Sequence, residues 1–190
     1  MDTYAATPVP LGQRIVLGIA TEKNYPVWIG DFSTAFLHAT MDEAWYLVPP
    51  EPLKRHLVIW RLKKALYGMR RAPQLFQDYL AEVFSQMCFQ RLVSDPSIFY
   101  QKEADVIFDV HVDDPMWTGP PNKVEAAIRE LEKWVLYKRG PTISMTEWTK
   151  YLGQLWKRIP RGFAVRQSFA YIDSMLVLLG MASCKGCRAP

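Results

Sequence analysis

The stretch Val106-Ile-Phe-Asp-Val-His-Val-Asp-Asp-Pro115 combines a clear strand pattern with a pair of adjacent carboxylates. Its apolar residues alternate with polar ones, which is the two-residue period of a β-strand with one buried face. Asp113 and Asp114 interrupt this alternation and a proline follows them, so we expect a tight turn between Val112 and Met116. The stretch therefore predicts a strand that delivers two carboxylates to its end.

Hydrophobic periodicity outlines the rest of the chain as a mixture of helices and strands. Apolar residues at helical spacing predict helices over residues 10–23, 73–87, 122–135 and 168–179. Short β-branched and apolar runs bounded by turn residues predict further strands over residues 27–29, 57–62, 97–101, 148–159 and 163–166. Asn122 is the expected N-cap of the third helix, which should end before Gly140-Pro141. Helices and strands do not alternate strictly, so the predicted fold class is α+β.

Composition places the chain among ordinary globular proteins. The 190 residues are 49% hydrophobic and carry a net charge of +4, which allows a sizeable core and is only mildly basic. The cations nevertheless cluster, several of them beside aromatic residues, at 54–55, 61–64, 70–71, 138–139 and 157–161. Such clusters suit contact with nucleic-acid phosphates, although solvated surface charge is the simpler explanation of any one of them.

The sequence has no feature of a membrane or secreted protein. Its longest apolar run, Met175 to Gly180, is far too short to span a bilayer, and the N-terminus lacks a signal-peptide pattern. Cys88, Cys184 and Cys187 give no disulfide framework, and the last two lack the second pair of ligands that a structural zinc needs. We therefore predict an intracellular protein, cytoplasmic or nuclear, that is not secreted and has no membrane partner.

A third carboxylate, Asp31, stands at the end of a separate predicted strand, Val27-Trp-Ile29. Adjacent like charges such as Asp113 and Asp114 repel, and each resists ionisation unless a cation compensates. Three oxygen ligands from two strands suit Mg²⁺, which keeps some of its waters and shares substrate phosphates. Two such ions, about 4 Å apart, are the arrangement of two-metal phosphoryl transfer. On spacing alone, a solvated turn explains the Asp-Asp pair better, because such dipeptides are common.

Four short motifs follow one another along the chain. They are Asp31-Phe-Ser-Thr-Ala-Phe-Leu37, Lys63-Lys-Ala-Leu-Tyr-Gly-Met-Arg-Arg-Ala-Pro73, His111-Val-Asp-Asp114 and Tyr151-Leu-Gly153. In order and spacing they resemble the first polymerase motif, the nucleotide- and template-contacting motif, the Tyr-Val-Asp-Asp motif and the primer grip of copia-type retrotransposon reverse transcriptases. The resemblance continues through Ser94–Phe99, Gln167–Tyr171 and Gly180–Cys184, and it identifies the chain as a member of that family.

The resemblance implies a right-hand polymerase palm, an RRM-like antiparallel sheet backed by helices, with the fingers and thumb incomplete. Within this partial reverse transcriptase domain of residues 1–190, residues 1–26 would be a lead-in helix, 27–166 the palm core and 167–190 an exit helix and tail. The implied activity is RNA-directed DNA polymerisation on an RNA or DNA template with a primer, from deoxynucleoside triphosphates. Two Mg²⁺ ions, replaceable by Mn²⁺, and the rest of a Pol polyprotein would complete the enzyme.

The same resemblance assigns roles to individual residues. Asp31, Asp113 and Asp114 would be the catalytic metal ligands. Phe36 would exclude ribonucleotides, because its ring would clash with a ribose 2′-hydroxyl. The other assigned positions are Thr34, Ala35, Tyr67, Gly68 and Arg70 in the nucleotide pocket, His111 and Val112 beside the catalytic pair, and Leu152 and Gly153 in the primer grip.

Three residues depart from the family pattern. His111 replaces the usual Tyr, Gly30 replaces a bulkier residue, and Pro115 removes a backbone donor just after the catalytic pair. Three interpretations therefore stay open: a polymerase that works within a longer polyprotein, a decayed or repurposed fragment that keeps the fold and a nucleic-acid surface without catalysis, and an unrelated Mg²⁺ phosphohydrolase. The last of these leaves the motif at 63–73 unexplained.

Overall fold

Two structural units account for the residues that the computed structural model describes, 10–184. The first unit is 1–141 and the second is 142–190. Residues 1–9 of the predicted lead-in segment, and Cys187 in the predicted tail, lie outside the described residues. Helices and strands are mixed along the chain, so the predicted α+β class is confirmed.

The first unit holds three helices, a single turn of 3₁₀ helix and most of the strands. The helices are α1 (Pro10–Glu22), α2 (Ala72–Gln86) and α3 (Pro121–Leu131), and the 3₁₀ turn is Ala35–His38. The strands are β1 (Val27–Phe32), β2 (Thr40–Leu47), β3 (Trp60–Lys64), β4 (Gln90–Arg91), β5 (Ile98–Gln101), β6 (Val106–His111), β7 (Asp114–Thr118) and β8 (Tyr137–Thr142), the last of which ends at the unit boundary.

The second unit holds three strands and one helix. They are β9 (Thr149–Tyr151), β10 (Gln154–Ile159), β11 (Gly162–Gln167) and α4 (Phe169–Leu178). The strands form an antiparallel sheet in the order β11-β10-β9. No helix among residues 10–184 is long and apolar enough to cross a membrane.

A six-stranded sheet in the order β4-β5-β6-β7-β1-β8 forms the centre of the first unit. β6 and β7 are a hairpin, and β1 pairs antiparallel with β7, so that Val27 lies opposite Thr118 and Ile29 opposite Met116. Because β1 and β7 run in opposite directions, the C-terminal end of β1 meets the first residue of β7. This topology brings the segment after Ile29 beside the β6–β7 turn.

An aromatic core packs one face of this sheet against α2 and α3. The ring centroids of Phe84 on α2 and Phe108 on β6 are 4.4 Å apart, and Phe108 lies equally close to Trp117 on β7. All three rings are shielded from solvent. Since side chains alternate along a strand, Asp109 and His111 of β6 point to the opposite face.

The predicted turn between Val112 and Met116 is wrong in its position. The turn consists of Val112 and Asp113, His111 pairs with Asp114, and β7 already includes Asp114 and Pro115. Proline fits in this strand because the N–H groups of successive residues point to opposite neighbours. His111 and Asp114 close the hairpin as a hydrogen-bonded pair, so the nitrogen of Pro115 faces β1 and the β6–β7 ladder loses no bond.

The third helix and the segment after it also differ from the prediction. The helix begins at Pro121, with Pro120 rather than Asn122 at the N-cap position, and ends at Leu131. The N–H of the first residue in a helix has no partner within the helix. A proline, which lacks that N–H, therefore loses no bond there, and this favours the earlier start. Gly140-Pro141 lies within β8 at the sheet edge, where a missing donor is tolerated.

The remaining differences concern strands. Residues 148–159, predicted as one strand, form β9 and β10 with a reversal at Leu152-Gly153, where φ is 48° and 74°. Positive φ at two successive residues closes a tight hairpin, and glycine permits it at the second. β3 begins at Trp60 rather than at residue 57, and β2 was not predicted. β2 has no buried residue and hence no alternating apolar pattern that would reveal it.

Candidate active site

A backbone hydrogen bond joins the two segments that carry the predicted catalytic aspartates. The N–H of Phe32 donates to the carbonyl oxygen of Asp113 at 2.9 Å. The bond continues the register in which Ile29 lies opposite Met116, so Asp31 lies opposite Asp114. Asp31 and Asp114 consequently share one face of the sheet, with Asp113 in the turn beside them.

The charge of Asp114 responds to its two neighbours. Burial, followed by the carboxylates of Asp113 and Asp31, raises the pKa of Asp114 above its ordinary value, while His111 acts in the opposite direction. Like charges favour the protonated acid only when they are close. Asp114 is therefore near enough to Asp113 and to Asp31 for their negative charges to act on it, as a cation bound there would in the opposite direction.

The donor set fits a magnesium ion better than a metal held by protein ligands alone. Among residues 10–184, no three or more His, Cys, Asp or Glu side chains are arranged so that they could bind a metal ion by themselves. Mg²⁺ does not require such a group, because it is commonly bound by one or two carboxylates together with waters and substrate phosphates. The mutual repulsion at Asp114 supplies the electrostatic need for the ion.

Two residues in the loops that carry these aspartates have left-handed backbone conformations. Val112, in the hairpin turn, has φ 58°, and Thr34, before the 3₁₀ turn, has φ 54°. A β-branched residue at positive φ is strained, and such strain concentrates at functional sites.

Gly30 has a packing reason that the sequence does not reveal. A Cβ added there would lie 2.1 Å from the hydroxyl oxygen of Tyr137 and 2.4 Å from its Cζ. The ring of Tyr137 therefore occupies the space beside β1, directly before Asp31. Burial raises the pKa of Tyr137 to about 12, with a smaller opposing effect from Trp117.

Pro115 and Gly30 are partners across the β1–β7 ladder. Extending the Ile29–Met116 register by one residue places Gly30 opposite Pro115, and the nitrogen of Pro115 faces β1. The missing N–H therefore removes one bond of this ladder, next to the Phe32–Asp113 bond. Gly30 and Pro115, two of the three departures from the family pattern, thus lie side by side in the β1–β7 ladder, close to the aspartates.

Phe36 and Tyr67, both assigned to the nucleotide pocket, lie in contact. Their ring centroids are 4.5 Å apart, and the ring of Phe76 also packs against Phe36, at 6.2 Å. Phe36 is 8% exposed and Tyr67 is 55% exposed, so the pair extends from the core to the surface. The other assigned positions nearby are Ala35, which is buried, and Thr34, Gly68 and Arg70, which are exposed.

A histidine that the sequence analysis missed connects the first motif to the segment before β8. The N–H of Ser33 donates to the carbonyl of Leu136 at 2.9 Å, and the N–H of Leu136 lies 3.2 Å from Nε2 of His38. Nε2 must be unprotonated to accept this bond, and burial lowers the pKa of His38. Because the two segments are about a hundred residues apart, no local pattern in the sequence marks the contact.

A second missed feature is a buried carboxyl cluster on the face of β6 opposite the aromatic core. The Ser97 hydroxyl oxygen lies 2.6 Å from an oxygen of Asp95 and 3.2 Å from one of Asp109. A hydroxyl has only one hydrogen, so when Ser97 donates to Asp95 the second contact needs a proton on Asp109. Asp109 is 1% exposed, and burial raises its pKa to about 6.

The residues assigned to the primer grip belong to the second unit. Leu152 and Gly153 form the turn between β9 and β10, in which Tyr151 pairs with Gln154. Gly153 is exposed and Leu152 is half-buried.

Comparison with known proteins gives a consistent result. The family described as reverse transcriptase (RNA-dependent DNA polymerase) matches residues 7–190. The chain is 30% identical over 195 residues to the retrovirus-related Pol polyprotein from transposon RE1 of Arabidopsis thaliana, and 29% identical over 194 residues to that from transposon RE2. It is 27% identical over 123 residues, 61% of its length, to the corresponding polyprotein from transposon TNT 1-94 of Nicotiana tabacum. All of the chain aligns with the two Arabidopsis polyproteins, but it spans 13% of the length of each.

Proposed function

The chain belongs to the reverse transcriptase (RNA-dependent DNA polymerase) family, and on this basis we propose that it adds deoxynucleotides to a primer 3′-hydroxyl as part of a Pol polyprotein. The six-stranded sheet would be the polymerase palm, and the protein would work inside the cell. The observation that carries the proposal is the 2.9 Å bond from the Phe32 N–H to the Asp113 carbonyl, which sets Asp31 beside the Asp113-Asp114 hairpin.

Asp31, Asp113 and Asp114 would hold the divalent cations. When bound, the cations would activate the primer hydroxyl and neutralise charge on the leaving phosphate oxygens. The protein would hold the three carboxylates together where the end of β1 meets the β6–β7 turn. Burial, and after it the charges of Asp113 and Asp31, raise the pKa of Asp114, so a cation beside this carboxyl would relieve the repulsion from its two neighbours.

Nucleotide selection would fall to the aromatic pair Phe36 and Tyr67. Phe36 lies in the 3₁₀ turn that follows β1, and its buried ring contacts those of Tyr67 and Phe76, so it has little freedom to move. A fixed ring beside the sugar of a bound nucleotide would exclude a 2′-hydroxyl by repulsion. Gly68, with φ 93°, lets the chain turn directly after Tyr67 and leaves the surface open to an approaching base.

The remaining assigned residues would position the nucleic acid. Arg70, three residues after Tyr67 in the sequence, is exposed and would contact the template phosphates. Leu152 and Gly153, at the β9–β10 turn, would hold the primer strand. His111 would take the place of the usual Tyr and, through its opposing effect on the pKa of Asp114, favour the ionised form of that ligand.

One alternative has an observation in its favour. A catalytically inactive fragment that keeps the fold and binds nucleic acid would explain why no set of three candidate ligands among residues 10–184 stands ready to hold a metal ion. The ladder bond removed at Pro115, next to the aspartates, points the same way. A phosphohydrolase unrelated to polymerases is not favoured, because the family match covers the motif at 63–73 as well as the aspartates.

Primer extension on an RNA template with Mg²⁺ or Mn²⁺ tests the proposal. The wild-type chain should extend a labelled primer and Asp113→Asn should not. Asp173→Asn, which removes an exposed carboxylate from α4, is the matched control and should extend normally. Extension by none of the three proteins, each tested alone and within a full-length Pol polyprotein, would contradict the proposed activity and favour the inactive fragment. Equal extension by Asp113→Asn and wild type would contradict the assignment of the site.

A further inference from the structure

The hairpin of β2 and β3 exposes aromatic residues that the proposed active site does not use. No residue of either strand is buried, and Trp45, Tyr46 and Trp60 are 47%, 56% and 40% exposed. A two-stranded ribbon is marginally stable by itself. Exposed aromatic side chains grouped on such a ribbon indicate a surface that is covered by a partner.

The strand register separates the two faces of this ribbon. Tyr46 pairs with Arg61, so their side chains lie on the same face, and Lys63, two residues further along β3, shares it. We call Tyr46, Arg61 and Lys63 the cationic face. Trp45 pairs with Leu62 and Leu47 with Trp60, and these four residues form the opposite face.

The side chains of the cationic face are available for a ligand. Within residues 10–184, neither Arg61 nor Lys63 forms an ion pair, and the ring of Tyr46 stacks on no other ring or cation. The base of the ribbon is different, because Arg71 binds Asp42 and Glu43 there, at 2.5 Å and 2.8 Å. Both acidic residues of β2 are thus ion-paired with Arg71, whereas Arg61 and Lys63 of β3 have no ion-pair partner among residues 10–184.

We propose that the cationic face binds a single nucleic-acid strand, with an unpaired base stacked on Tyr46 and its phosphates against Arg61 and Lys63. This inference rests on the proposed function, since it gives the unpaired template a place on the protein. An aromatic ring beside free cations is the combination that single-strand binding uses, because every base has a face to stack and every linkage has a charge. A protein partner would be expected on the apolar face that carries Trp45 and Trp60.

Fluorescence anisotropy with a labelled single-stranded RNA of about 12 nucleotides tests the inference. Tyr46→Ala should weaken binding on the order of tenfold, whereas Tyr46→Phe, which keeps the ring, should bind like wild type. Replacing Arg61 and Lys63 by Gln should lower the slope of log affinity against log salt by about 0.7 for each phosphate that the protein no longer neutralises.

Matched controls separate the face from general effects. Tyr171→Ala removes a tyrosine of similar exposure, 52%, from α4, and Lys102→Gln removes an exposed cation from outside the ribbon. Both should leave RNA affinity unchanged. RNA affinity unaffected by Tyr46→Ala and by the Gln variants, or absent from the wild type, would overturn the inference. The inference would also be overturned if these variants changed the oligomeric state, measured by sedimentation, and left RNA affinity unchanged.

The outcome is independent of catalysis. Asp113→Asn should bind the RNA like wild type, because the cationic face contains none of the aspartates. If RNA binding depends on Tyr46 but no protein extends a primer, the inference holds and the proposed polymerase activity fails. If the wild type extends primers and the variants of the cationic face bind RNA normally, the activity holds and the inference fails.

Discussion

The N–H of Phe32 donates to the carbonyl oxygen of Asp113 at 2.9 Å, which fastens the end of β1 to the β6–β7 turn. The bond belongs to the β1–β7 ladder, next to the position where Pro115 removes a donor, and it pairs the end of β1 with the turn before β7. Side chains from two distant parts of the sequence, Asp31 and the Asp113-Asp114 pair, meet because of it.

Gly30→Ala should destabilise the protein. The added Cβ would lie 2.1 Å from the Tyr137 hydroxyl oxygen and 2.5 Å from its Cε2, so a half-buried ring must shift. Overpacking of this kind costs about 1–3 kcal/mol of unfolding free energy, measurable by urea denaturation. In a Tyr137→Leu background the same substitution should cost less, because the atoms that clash are gone.

Gly18→Ala is the matched control for that experiment. Gly18 lies inside α1 with nothing within 4 Å of an added Cβ, so alanine there should stabilise the protein by about 0.5–1 kcal/mol. If Gly30→Ala is as well tolerated as Gly18→Ala, the packing of Tyr137 against β1 is not as described.

Asp109→Asn should stabilise the protein at alkaline pH and have little effect under acid conditions. The pKa of Asp109 is raised from 3.8 to about 6, so the folded state holds the proton more tightly than the unfolded state. Stability therefore falls as the pH rises from about 4 to about 6, and the loss reaches about 3 kcal/mol at most above that range. Urea denaturation of both proteins at pH 5 and pH 8 measures the difference.

The control for this titration is Asp78→Asn, which changes an exposed carboxylate on α2. It should shift unfolding by the same small amount at both pH values. A gain in Asp109→Asn that is no larger at pH 8 than at pH 5 would show that Asp109 is ionised without cost in the folded protein.

Phe36→Leu should reduce discrimination against ribonucleotides. The smaller side chain leaves room beside the sugar, and a space of one or two carbon atoms changes selectivity by about tenfold or more. Incorporation of ribonucleotides and deoxyribonucleotides by the same protein gives the ratio. Phe99→Leu, at a buried ring that packs on Phe84 and Phe108 rather than on Phe36, should lower stability without changing that ratio. An equal ratio of ribonucleotide to deoxyribonucleotide incorporation in all three proteins would show that Phe36 has a purely structural role.

The sequence predicted the elements whose physics is local. β6 was predicted from its alternation, and α2 from apolar spacing behind a proline in its first turn. The family assignment is confirmed by the match over residues 7–190, because the motif at 63–73 is long enough to be specific. Local spacing also predicted that Asp31 ends a strand, and β1 covers Val27–Phe32.

Features that depend on distant contacts were beyond the sequence. In the sequence, Gly30 is a small residue where the family has a bulkier one. The reason for it, the ring of Tyr137 more than a hundred positions away, is visible only in the structure. The proton inferred on Asp109 depends on its contact with Ser97, in the turn before β5. The turn at Val112 and Asp113 was misplaced because Pro115 suggested a break in the chain, whereas its missing N–H falls on the ladder to β1.

The central claim is that Asp31, Asp113 and Asp114 form one cation site for nucleotidyl transfer. Bound Mn²⁺, counted by electron paramagnetic resonance with primer–template and a deoxynucleoside triphosphate present, tests it most directly. The account predicts that Asp31→Asn and Asp114→Asn each lose Mn²⁺ that the wild type and Asp173→Asn retain, although Asp31 and Asp114 come from different strands. Wild-type Mn²⁺ binding in either Asp31→Asn or Asp114→Asn would contradict it.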